Sequence, residues 1–125
     1  LNETINHQDP TSAESPLDDF TMHWSWNPDA GYKFIKIQGQ RDKDGTGTWE
    51  SFEIHCATDN LAREMTNDAH VDLANHVLTL NFFVDYEKFF TGVDFSAETL
   101  DGTHGDGILT NKIADNVSNG AIADE

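Results

Sequence analysis

The chain has a single cysteine, Cys56, so it has no internal disulfide and none of the paired-cysteine zinc or redox motifs. Cations are equally scarce. Seven Lys and Arg stand against 23 Asp and Glu, a formal charge of −16, and such a surface repels phosphate backbones and anionic headgroups. Nucleic acid and membrane-surface partners are thereby disfavoured. No run approaches the roughly 18 apolar residues of a membrane span, and no signal peptide is visible. Because the chain starts at Leu1 rather than Met, it reads as a processed or trimmed product. It also lacks a nucleophile-elbow GxSxG, a phosphate-binding P-loop, a GxGxxG and any internal repeat, so an enzymatic reading has no motif behind it.

What remains is enough to fold. Hydrophobic residues make up 37% of the 125, eight of them Phe, which supports one core and therefore a single domain over residues 1–125. The first twenty residues are polar, carry Pro10 and Pro16, and read as an extended loop. Turn signals at Asn27, Pro28 and Gly31 then lead into a strand over Tyr32 to Gln38. From Trp49 to Cys56, Phe52, Ile54 and Cys56 share one face while Trp49, Ser51, Glu53 and His55 share the other. With a Gly-rich connection between them, these two strands are expected to pair antiparallel.

A third strand, His76 to Val84, is apolar on both faces and reads as central, with Leu78, Leu80 and Phe82 buried. Leu61 and Met65 stand one turn apart in Asp59 to Asp68, which reads as either a short helix or a loop. Asp85 offers an N-cap to Tyr86, Phe89 and Phe90, and Leu109, Ile113 and Val117 repeat every four residues in a helix closing at Asn119 and Gly120. Strands dominate, so the expected fold is mainly β, an antiparallel β-sandwich-like domain with short helices.

Six histidines are the candidate ligands: His7, His23, His55, His70, His76 and His104. None has the HxH or HExxH spacing that puts two imidazoles on one face, so any site must be assembled from distant parts of the chain. Asp42 to Glu53 matches the calcium-binding EF-hand loop, with Asp42, Asp44 and Glu53 at ligand positions. Its flanks carry strand-forming residues, however, and an EF-hand loop lies between helices, so a hairpin turn is the favoured reading and a calcium site the alternative. The acidic turn Asp101 to Gly107 offers a second place for a hard cation, although such clusters are more often solvated turns. Adjacent strand residues point to opposite faces, so Cys56 belongs to the core and not to a pair with His55.

Four elements carry a family resemblance: Asn6-His7, Pro16-Leu17, the aromatic run Met22-His23-Trp24-Ser25-Trp26, and Gly31-Tyr32-Lys33-Phe34 leading into a strand. Phe89 to Ser96 adds a fifth. Together they resemble the MbnP-like family, which includes the methanotroph surface copper proteins of MopE and CorA type. The resemblance implies a periplasmic or cell-surface protein that binds copper(I) for acquisition, storage or delivery. It also implies a partner such as a di-haem peroxidase-like or copper-uptake protein; family members carry more β-structure before the Asn-His element, and this chain starts just ahead of it.

In the copper-binding members two histidines hold the ion with a kynurenine made from a tryptophan two residues before the first histidine. Carried over, the first histidine is His7 and the second His55, while the kynurenine position is Ile5, which can supply no ligand. His7 and His55 are therefore the expected copper ligands, with His70 and His104 dispensable. Trp24 and Trp26 are alternative sites for such an oxidation, with large core aromatics the simpler reading. The competing class is a calcium-stabilised structural or interaction domain in which the histidines are incidental.

Overall fold

The structure, a computed structural model, describes residues 3–24, 31–65, 71–74, 77–80, 82–97, 100 and 103–124. Helix α1 (Glu3–Asn6) is one turn; strands β1 (Lys33–Asp42) and β2 (Trp49–Ala57) follow, then a 3-10 turn at Asp59–Leu61. Two short antiparallel pairs come next: β3 (Val71–Ala74) with β4 (Val77–Leu80), and β5 (Phe82–Val84) with the last strand, β7 (Ile122–Asp124). Between β5 and β7 lie a 3-10 helix at Tyr86–Phe90, strand β6 (Thr103–His104) and helix α2 (Ile108–Asn116). The domain is mainly β, with antiparallel strands and short helices, as its sequence predicts.

The frame is the β1–β2 hairpin, in which Ile35 meets Cys56, Ile37 meets Ile54 and Gly39 meets Phe52. A Cβ on Gly39 would come within 2.9 Å of the Phe52 ring, so glycine lets that ring lie across the neighbouring strand. Phe52, Ile54 and Cys56 form the core with Leu61, Leu100, Leu109, Ile113 and Ala114. Helix α2 therefore buries its Leu109, Ile113 and Ala114 side against the same face of β2 that the alternation predicts. Strand β6 adds to the other edge of β2, making a sheet of order β1-β2-β6, and it runs parallel to β2.

The long strand expected at His76 to Val84 is a correction. It is two strands in two different sheets, β4 and β5, and Phe82 is half exposed instead of buried. An apolar run on both faces fits a central strand as well as it fits two short edge pairs, and here the pairing partner changes between Leu80 and Phe82. The side chains of Leu78 and Leu80, and all of His70 and His76, lie outside the described residues. Asp59 to Asp68 is a single 3-10 turn in its described part. The N-cap reading at Asp85 is right, its carboxylate accepting from Glu87 N at 3.1 Å, and α2 gives way to a π-turn over Val117–Ala121 that contains Gly120 with φ +110°.

The core placement gives a stability contrast. Ile54→Ala should cost about 2–5 kcal/mol in denaturant unfolding, because a fully buried branched side chain leaves a cavity. Phe83→Ala, on the exposed edge strand β5, should cost less than about 1 kcal/mol. Equal losses would mean that β5 belongs to the core.

Candidate metal centre

Strand alternation sends Ile54 into the core and His55 to the opposite face. That face is covered too. Trp24, 4% exposed, crosses the His55 ring edge-on at 6.1 Å and the His104 ring at 5.8 Å. In the parallel register His55 stands beside His104, whose ring centroid is 4.5 Å away at an interplanar angle of 30°. Neighbouring strands lie about 4.8 Å apart, so two residues in register project their side chains together, the sheet counterpart of an HxH pair. The link is fastened again by Gly105 N donating to His55 O at 3.0 Å.

His55 is buried to 8% exposure, and among the described residues neither Nδ1 nor Nε2 has a hydrogen-bond partner. Buried polar atoms are nearly always paired, and each orphan costs about 1–3 kcal/mol. Burial lowers the His55 pKa, with His104 and Lys33 acting in the same direction and Glu53 opposing them. The shift favours the neutral ring, the form that ligates metals. Glu53 Oε2 is 3.8 Å from His55 Nε2, while the other carboxylate oxygen accepts from Gln38 Nε2 across the hairpin. Glu53, His55 and His104 each bring one ligand atom within 4.8 Å of the others, with Glu53 and His104 reaching solvent and His55 buried between them; among the described residues this is the one such group of three or more.

His7 sits on the N-terminal segment, where its Nε2 is 3.2 Å from Asp59 Oδ2. Its neighbour Asn6, fully buried, donates Nδ2 to the other Asp59 oxygen at 2.7 Å and accepts from Tyr32 N at 2.9 Å. These hydrogen bonds, that from Asn6 first, hold the Asp59 carboxyl below its usual pKa. Thr58, with φ +82°, turns the chain from β2 into this contact; a β-branched residue in that region stores about 1–3 kcal/mol of strain. His7 is thus held by Asp59, while His55 faces His104 and Glu53. His104 and Glu53 are the members that sequence reasoning left out, since nothing local links His104 to β2.

The calcium-like loop is the turn of the β1–β2 hairpin: Asp42 accepts from Thr46 N at 3.1 Å and Gly47 N at 2.8 Å. Its carboxylate is engaged by the loop's own backbone, as in turns generally. Cys56 points into the core, its Sγ donating to Thr110 O at 3.6 Å.

Fold and site together describe a mainly β domain that carries an imidazole pair, one ring buried, with a carboxylate beside it, a donor set able to hold a metal. The chain belongs to the MbnP family, whose model matches residues 1–108. Comparison with curated proteins and with solved structures finds no match. No helix among the described residues is long and apolar enough to cross a membrane.

Burial pushes the Cys56 thiol up from 9.0 to about 12, so in the folded protein it stays protonated across the range where a free thiol ionises. At a pH of about 9.5, above the usual thiol pKa, iodoacetamide should leave Cys56 unlabelled in the native state and label it fully in guanidinium. Native labelling at the rate of a free thiol would place Cys56 outside the core.

Proposed function

We propose that this domain binds copper(I) and serves in its acquisition, storage or delivery outside the cytoplasm, without bond-breaking chemistry of its own. The observation that carries the reading is the His55 imidazole, buried and with neither nitrogen hydrogen-bonded among the described residues, its ring facing that of His104. Neutral imidazole suits copper, and copper(I) tolerates few ligands, so a pair of rings suffices. Trp24 helps to keep His55 out of bulk water, and a bound ion would satisfy an atom that the fold otherwise leaves without a partner. Membership of the MbnP family supports the metal connection.

The family resemblance puts His7 forward as the first ligand, and the geometry puts His104 forward. The two differ in what they predict. Anaerobic titration against a chromophoric copper(I) chelator should give about one tightly held copper per chain, with most of it lost in His55→Ala. His104→Ala should weaken binding at least tenfold if the ion rests on the imidazole pair, an effect of the size expected on losing a ligand or its close support. Loss in His7→Ala with retention in His104→Ala would move the ion to His7 and His55. Full copper binding by His55→Ala would sink the proposal.

A further inference from the structure

Glu53 is not needed by a copper(I) site of two imidazoles, yet it stands within the same donor group. Its Oε2 is 3.8 Å from His55 Nε2, too long for a hydrogen bond. Two donors bound to one ion by bonds of about 2 Å lie roughly 3.3–4 Å apart, and this separation falls in that range. The carboxylate is also held in place, because its other oxygen accepts from Gln38 Nε2 on the paired strand.

From this geometry we infer that Glu53, with His55 and His104, makes the site a binder of divalent transition-metal ions, copper(II) and zinc(II), and not of copper(I) alone. Two imidazoles and one carboxylate with a position left open is a donor set that zinc(II) accepts, and nitrogen with oxygen suits copper(II). A hard anionic oxygen gains far more from a divalent ion than from soft, monovalent copper(I). The inference rests on the proposed site at His55 but adds a second class of ion to it, so copper reaching the protein is held in either oxidation state.

The test is Glu53→Gln, which keeps the shape and the Gln38 contact position but removes the charge. Because the Glu53 side chain is about half exposed, the variant should fold; Glu53→Asp, which keeps the charge, is the companion. Zinc(II) is titrated by calorimetry, copper(II) by electron paramagnetic resonance for its nitrogen couplings, and copper(I) by anaerobic chelator competition. Glu53→Gln should weaken zinc(II) and copper(II) about tenfold or more and copper(I) less than about threefold, with Glu53→Asp retaining part of the divalent affinity. Equal divalent affinity in wild type and Glu53→Gln overturns the inference and leaves the copper(I) reading standing. Glu53-dependent binding of zinc(II) and copper(II) without any copper(I) binding has the reverse result. Binding of none of the three by the wild-type chain ends both.

Discussion

The pairing of Ile54 and His55 with Thr103 and His104 is only two residues long, and both the core and the candidate site depend on it. It joins parallel strands that are distant in sequence, so it closes a long loop, whose entropic cost must be met by what the closure brings together. Two things are brought together. On one face β6 delivers α2, whose Leu109, Ile113 and Ala114 complete the core over Phe52, Ile54 and Cys56. On the other it sets His104 against His55 under Trp24. Burial of several full aliphatic side chains, each stabilising by about 1.5–3 kcal/mol, contributes more than the ring contact does, and the imidazole pair is carried along with it.

Polar groups around the site divide into those the fold satisfies and those it does not. Asn6 uses its amide in both directions, to Tyr32 N and to Asp59, and the N-terminal segment is thereby tied to the end of β2. Gly31 makes the approach feasible: a Cβ there would lie 2.5 Å from Asn6 O, and its φ of +68° is one that other residues avoid. Against these paired groups, the His55 nitrogens, without a hydrogen bond among the described residues, and the strained φ of Thr58 stand out. Strain and unsatisfied polarity persist only where the surrounding packing over-determines them, and they concentrate where a protein binds something.

The sequence shows one half of this arrangement clearly. The alternation of Phe52, Ile54 and Cys56 against Glu53 and His55 is a period-two signal, and the Gly-rich turn between two strand-forming runs specifies a hairpin, so the antiparallel pairing of β1 and β2 is legible. The four-residue repeat of Leu109 and Ile113 shows α2 in the same way. The run from Val77 to Val84 is not legible, because a segment apolar on both faces carries no phase to tell one long strand from two short ones. The partnership of His55 with His104 is invisible for a different reason. Strand β6 is two residues long, shorter than any periodicity, and its position follows from the tertiary closure and not from its own residues.

Charge acts on this site at two ranges, and they have different effects. The −16 net charge surrounds the protein with an attractive field for all cations, but that field is screened over roughly 8 Å at physiological ionic strength and cannot tell copper from calcium or sodium. Within that distance the balance differs, since Lys33 and Lys36 oppose a cation at His55 and Glu53 favours it. The remote carboxylates therefore raise the local concentration of metal, whereas selection falls to the handful of groups around His55. Asp42 and its loop show the contrast: an acidic sequence that resembles a calcium site uses its carboxylate on its own backbone, while the less acidic face of β2 presents bare nitrogen donors. On the proposed reading, preference for transition metals over calcium arises because Asp42 engages both carboxylate oxygens with the loop's own backbone, whereas the buried His55 imidazole has no competing hydrogen bond among the described residues.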